Sequence, residues 1–349
     1  MKLPIPLSLQ HIFEKKGVQA KAKATLGLDV GSNSIKFVKL SQDKNAVQLV
    51  SYALQEKQLD LEEVFKKIID PKDLKKPVTI SVSGAPTIMR YVLFPRMNAQ
   101  ELKQALKFEA QKHIPFSISE VNLDSCILKQ DLPDNKMLVL VAAVKKEPLE
   151  QRLKVFKAMN LLIRFIDIDA LALINAFTFN YADTDVLKGK AIALLNIGAL
   201  ESNLDILEDG VPRLSRDIHI GGNHFTQKLA DIFGADQKAA EKMKISPDKE
   251  KADQINAAAE NVLMHLAKEL RSSFDYYESQ SVSSVSKIFL SGGSSLYMSL
   301  GSILTTMLGV PVERWDPFRR IMLPDSTDMS HLKSVAGQFA VAVGLALRT

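Results

Sequence analysis

Between two apolar runs, residues 29–36 (DVGSNSIK) set an acid, a glycine, two serines, an asparagine and a lysine in one short turn. Those residue types suit a phosphate chain. A triphosphate calls for backbone N–H donors aimed at it, an approach so close that only glycine permits it, and a cation to offset its charge. Gly31 allows the approach, and Ser32, Asn33 and Ser34 add hydroxyl and amide donors. Asp29, ending a strand, can orient Mg2+ through water, an ion that keeps several waters when bound. Lys36 either approaches phosphate or is a solvated strand residue. Taken alone, the turn reads better as a plain β-turn with a capping Asp.

A second turn, NIGALES, carries Asn196, Gly198, Ala199 and Ser202. Laid over the first, Asp29 meets Asn196, Gly31 meets Gly198, and the apolar runs after each glycine coincide approximately. The chain thus reads as one βββ unit used twice. Farther on, Gly221, Gly222 and Asn223 follow a strand, and FLSGGSSLYMSL holds the pair Gly292 and Gly293 ahead of Ser294 and Ser295. Bare glycine backbone would let a flat base or ribose pack on it, while either serine fits a helix N-cap equally well.

The elements that must hold these turns follow from periodicity. After the first meander come a helix over 59–69, strands VTISVSG and TIMRYVLFP, and a helix over 99–113 entered by the capping pair Asn98 and Glu101. Strands over 121–129 and 137–144 and a helix over 148–159 follow. Residues 78–160 therefore read as an inserted small α+β subdomain. The strand IRFIDID, a helix over 169–182 and the second meander from 190 come next, then helices over 222–233, 236–244 and 253–279. The strand KIFL, a helix over 296–308, the strand PVERW and a buried helix over 331–348 close the chain.

With 349 residues, 46% hydrophobic and 24% charged, there is core enough for two domains or one bilobed one. The net charge of +5 is spread along the chain, a weak argument for an anionic membrane surface, and nucleic acid is not expected as a partner. A single cysteine, Cys126, excludes an intrachain disulfide and reads as a buried bystander. No apolar run approaches the roughly 20 residues of a membrane-spanning helix. Residues 1–24 make a poor signal peptide and read as an extension, either a tail or a lead-in that touches a membrane or partner. No His/Cys cluster has metal spacing and no Ser/His/Asp set is legible.

The order of these motifs resembles the actin-like ATPase superfamily. That resemblance implies an α/β chain of the actin-like ATPase fold: two duplicated ribonuclease-H-like domains around a nucleotide cleft, with the inserted small α+β subdomain. Residues 25–189 would form the first domain, 190–330 the second, and 331–349 a helix packing back on the first. Within this layout AAEKMKI (239–245) is similar to the helix whose Glu and Lys contact ribose and adenine, which marks Glu241 and Lys244. On its own that segment reads as an amphipathic surface helix.

The runs GLDVGSNSIKFVKL, FEAQKHIPFSISEVNLDSCIL (108–128) and FAVAVGLALR (339–348) look like the type IV pilus assembly protein PilM family, related to FtsA, over nearly the whole chain from Leu26. The resemblance implies an ATP-binding protein, with Mg2+, peripheral on the cytoplasmic face of the inner membrane and active in pilus biogenesis and twitching motility. Its partner would be the cytoplasmic N-terminal peptide of PilN, held in a groove of the first domain beside the insertion, and through it the PilN/PilO complex. Asn196 departs from the aspartate common in the superfamily. An amide keeps hydrogen bonding but loses a charge, so ATP binding is expected with slow hydrolysis at most, unless the nearby Glu201 compensates. An FtsA-type cell-division homologue is the alternative, although that class usually ends in a membrane-targeting helix and this chain stops at Thr349 after a core-like helix. A small-molecule kinase of the same fold needs a catalytic base that no acidic motif in 78–160 offers.

Overall fold

The computed structural model describes residues 24–42, 46–57, 61–297 and 299–348; the lead-in over 1–23 lies outside them. The apolar run Ala24–Val30 forms β1, a central strand with both faces covered, and leads into β2 (Ser34–Gln42) and β3 (Val47–Glu56). In α1 (Leu61–Ile68), Glu62 and Glu63 open the helix and Lys66 and Lys67 close it, as the helix dipole favours. β4 (Pro77–Val82) then runs parallel to β1.

The chain next leaves for a three-stranded sheet built from β5 (Thr87–Pro95), β6 (Val121–Leu132) and β7 (Lys136–Lys145), in the order β5-β7-β6, with α2 (Ala99–Ala110) inserted after β5. The Asn98 side chain accepts from the N–H groups of Gln100 and Glu101, and Glu101 takes the Asn98 N–H, closing the capping box. Phe94, Leu102, Leu106, Val139 and Val141 give this sheet a core of its own. The chain returns through α3 (Lys146–Ala158) to β8 (Leu162–Ile168), parallel to β4, and α4 (Asp169–Tyr181).

The insertion is thus shorter than residues 78–160. β4 lies between β1 and β8 in the main sheet, and Leu149, Leu153 and Phe156 of α3 join the main core. A parallel strand and its crossover helix carry the same apolar pattern as pieces of an inserted sheet, so pairing alone separates them.

The second half repeats the first. β9 (Ala191–Ile197), β10 (Ser202–Glu208) and β11 (Val211–Ile218) form a meander whose Asp209-Gly210 turn has φ of 54° and 75° at its two residues, the geometry of a tight hairpin. After α5 (Gly222–Phe233), α6 (Gln237–Ile245) and α7 (Ala252–Glu278) come β12 (Val285–Ser291), α8 (Leu300–Leu308) and β13 (Val312–Arg314). The two sheets run β3-β2-β1-β4-β8 and β11-β10-β9-β12-β13, the same order place for place. In both, the meander is antiparallel and the last two strands are parallel to the first. This is the actin-like ATPase fold, and the repeated βββ unit extends to a whole five-stranded sheet.

The closing apolar run is two helices, α9 (Met329–Val335) and α10 (Ala340–Ala346), separated by a tight turn over Ala336–Phe339. The break falls where the Gly337 carbonyl accepts the Gly292 N–H, which a continuous helix would have used internally. α10 packs on α4 and β1. Among the described residues no helix is long and apolar enough to cross a membrane.

Candidate functional site

In open α/β sheets ligands collect where the parallel strands end. Here the carboxyl ends of β1, β4, β8, β9 and β12 deliver Asp29, Ser83, Asp169, Asn196 and Gly293 to one cleft of about 470 Å³. The first turn lines it with Asp29, Gly31, Ser32, Asn33, Ser34 and Lys36. Strand register sets Asp29 opposite Lys36, and their side chains pair at 3.2 Å inside the cleft, so Lys36 is not a solvated strand residue. Burial raises the Asp29 carboxyl above its ordinary value; Lys36 acts against that and Asp169 adds to it.

From the second half come Asn196, Gly198 and Ala199, then Gly222 and Asn223 of α5, Glu241 and Lys244 of α6, and Gly293 and Ser294. The Gly222 and Asn223 N–H groups donate to the carbonyls of Gly198 and Ala199, each at 2.8 Å, which fastens the start of α5 to the second turn. Lys244 is only 3% exposed and donates to Glu241 (2.6 Å), Thr226 Oγ1 (3.0 Å) and the Gly222 carbonyl (3.3 Å). Burial lowers its pKa and Glu241 opposes that. With its three protons engaged, Lys244 ties α5 to α6, while the half-open Glu241 presents oxygen to the cleft.

Four expected residues stand behind the wall. Ser202 is buried and donates to the Ile220 carbonyl at 2.6 Å, and a Cβ on Gly221 would lie 2.6 Å from the Ala199 carbonyl oxygen. Gly292 has φ +89° and presses on β9, where a Cβ would meet the Ile197 oxygen at 2.4 Å; it is glycine for its backbone, not to receive a base. Ser295 is buried and donates to the Gly292 carbonyl. Neither serine caps α8: residues Gly293–Leu296 form a separate tight turn, and Ser294 Oγ donates to the Gly198 carbonyl.

The cleft also holds Ser83, Arg152, Asp169 and Gln338, which the sequence reading missed. Arg152 donates to the Val30 carbonyl at 3.1 Å and supports the charge of Asp29. Asp169 repeats the signal of Asp29, an acid at the end of an apolar strand, and could have been found by it. Glu201, noted as a possible replacement for the missing acid, does line the cleft; burial, Asp217 and Asp169 raise its carboxyl, in that order. Asn196 is occupied otherwise: its Oδ1 accepts from Ser291 Oγ (3.1 Å) and its Nδ2 donates to Asn203 Oδ1 (3.4 Å).

Among the described residues no set of side chains forms a metal site by itself. The donors do fit Mg2+ brought by a phosphate chain, which binds through one or two carboxylates plus phosphate oxygens, here Asp29 and Asp169. Cys126, buried and with its thiol pushed up to about 11, plays no part.

The family model of the type IV pilus assembly protein PilM matches residues 27–349. A solved structure described as the PilM-PilN type IV pilus biogenesis complex is similar at 27% identity, with a TM-score of 0.82 over 94% of this chain and 99% of that one. The ethanolamine utilization protein EutJ from Carboxydothermus hydrogenoformans shares the fold at 13% identity and a TM-score of 0.54, over 95% of this chain and 92% of its own. The family match takes in both repeated sheets, the insertion and the closing helices, and the chain belongs to the type IV pilus assembly protein PilM family.

Proposed function

We propose that the cleft binds ATP with Mg2+ and that the chain is a nucleotide-gated scaffold of pilus assembly, peripheral on the cytoplasmic face of the inner membrane. The observation that carries this reading is that two equivalent turns, one from each repeated sheet, face a shared cleft of nucleotide size. In it Lys36, Arg152 and the turn backbones meet the phosphates, Glu241 meets the ribose side, and Gly293 leaves room for the base. Bound Mg2+ supplies charge neutralisation at the phosphates; Asp29 and Asp169 orient its waters. Asn196 adds no charge, so turnover is slow at most. The partner is the cytoplasmic N-terminal peptide of PilN, taken up beside the insertion and leading to the PilN/PilO complex. Support for it comes from the similar complex of a relative that covers the same length of chain.

Calorimetry with a non-hydrolysable ATP analogue and Mg2+ tests the pocket on wild type and Gly293→Trp. A Cβ at Gly293 has only Gln338 within contact, so the variant fills the cleft without straining the wall. Equal affinity in both proteins would sink the assignment. A PilN N-terminal peptide that retains no protein, with or without nucleotide, would remove the scaffold reading.

A further inference from the structure

The insertion joins the first half through the turn 83–86 and the return at Lys145, whose N–H donates to the Pro86 carbonyl. That root rests on the second half. Gly84, at φ +75°, lies under the Glu201 carboxylate, with its Cβ position 3.3 Å from Oε1. Its backbone lies close enough to Asp217 to act against the rise of that carboxyl. A second tie lies beside it: Tyr91 of β5 shares a 2.7 Å hydrogen bond with Ser215 of β11. Between the two elements is a cavity of about 160 Å³, and Ser83 and Asn203 line both it and the main cleft.

A row of polar side chains leads from the cleft to this root. Asn196, Asn203 and Asp217 are register partners across β9, β10 and β11. Ser291 donates to Asn196 (3.1 Å), Asn196 to Asn203 (3.4 Å) and Asn203 to Asp217 (2.5 Å), and Asp217 and Ser83, next to Gly84, line the same small cavity. The direction of every bond follows from the last member. An ionised Asp217 only accepts, so Asn203 must turn its NH2 toward it and its oxygen toward residue 196, which must then donate. Asparagine can do so and aspartate cannot.

We propose that Asn196, resting on the nucleotide reading above, is a positioning residue that passes occupancy of the cleft to the inserted subdomain through Asn203, Asp217 and Gly84. The hydrogen-bonded row then runs from the second turn to Asp217, against the root of the insertion, and ligand that orders Asn196 orders the root beside it.

The row predicts a reversal. In Asn196→Asp, Asn203 stands between two acceptors and one bond is lost. Asp217→Asn alone is tolerated, because all the amides can flip and Ser291 can accept. The double variant Asn196→Asp/Asp217→Asn is satisfied from end to end in the opposite direction. Melting temperatures without ligand test this: Asn196→Asp lowers the value and Asp217→Asn restores it. Hydrogen exchange over residues 84–95, at saturating ATP analogue and Mg2+, tests transmission. In wild type and in the double variant, exchange slows about five-fold or more on binding, the lower range of ordinary site coupling. In Asn196→Asp, and in Asp217→Leu, which lies outside the cleft and keeps wild-type affinity, the slowing disappears. A nucleotide effect that survives in Asp217→Leu overturns the proposal, as does a double variant no better than Asn196→Asp. Wild type that binds no nucleotide in calorimetry overturns the functional reading and transmission together; binding without slowing overturns transmission alone.

Discussion

Lys244→Met separates support from direct contact. The Lys244 ammonium is 3% exposed and donates to Glu241, Thr226 and the Gly222 carbonyl. Methionine keeps most of the volume and removes the donors. The Thr226 hydroxyl and the Gly222 carbonyl are buried and each loses one hydrogen bond, at about 1 kcal/mol, because Thr226 Oγ1 still donates to Gly222 and neither is left unsatisfied. Glu241, 39% exposed, recovers water and adds little. Removing the desolvation of a buried cation offsets part of the loss, leaving roughly 1–2 kcal/mol, or about 2 °C in a chain this long. Differential scanning fluorimetry reads that shift, and calorimetry with the ATP analogue reads affinity. If Lys244 acts by holding α5, α6 and Glu241 in place, its affinity loss and that of Glu241→Gln are not additive in the double variant. An unmoved melting temperature with affinity reduced ten-fold or more would refute this and put the ammonium on the ligand.

Two further outcomes follow from packing and charge. A Cβ on Gly344 would lie 1.8 Å from the Ala172 carbonyl oxygen, so Gly344→Ala pushes α10 off α4 and lowers stability by about 3 kcal/mol in thermal melts; Gly309→Ala, with nothing within 4 Å but φ +67°, costs about 1 kcal/mol. Asp167 is paired with Arg348 at 3.3 Å, both buried, and burial raises its carboxyl from 3.8 to about 6. A folded-state value above the unfolded one means stability fully present below pH 3.8 and lost as pH rises through about 6. Two pH units at 1.36 kcal/mol each give about 3 kcal/mol, so wild type loses that much relative to Asp167→Asn between pH 3.5 and 7; parallel melting curves would contradict it.

The two meanders were legible because period-two strands and Asp/Asn-x-Gly turns are local patterns, and Asn98 with Glu101 announces a helix by chemistry alone. Side and depth were not. Ser202, Gly221, Gly292 and Ser295 adjoin lining residues in the sequence, yet each is left behind the wall. Ser202 is one strand step from Asn203, Gly221 presses on the second turn, Gly292 has a positive φ and Ser295 folds back on Gly292. Hydrophobic pattern does not say which sheet a strand joins, so β4 and α3 read as parts of the insertion although they belong to the main sheet and core. Sequence alone allows Lys36 two roles, and strand register places it opposite Asp29.

Asp169 and Ser83 show what the missing information was. Both follow strands, β8 and β4, that reach the cleft only because β4 pairs in parallel with β1 and β8 in parallel with β4, with the whole inserted sheet between them in sequence. Once the order β3-β2-β1-β4-β8 is known, the carboxyl end of every parallel strand becomes a candidate, and an acid such as Asp169 there acquires a reason. The same logic changes the meaning of Asn196. Read as a line of sequence it is an acid lost from the cleft; read across three paired strands it is the amide that Asn203, constrained by Asp217, requires. At the ends of the parallel strands, negative charge then enters from the first half, through Asp29 and Asp169, with Glu201 and Glu241 as the carboxylates of the second half. The second turn offers an amide at Asn196 where the first offers Asp29, and that amide's orientation is set by Asn203 and Asp217.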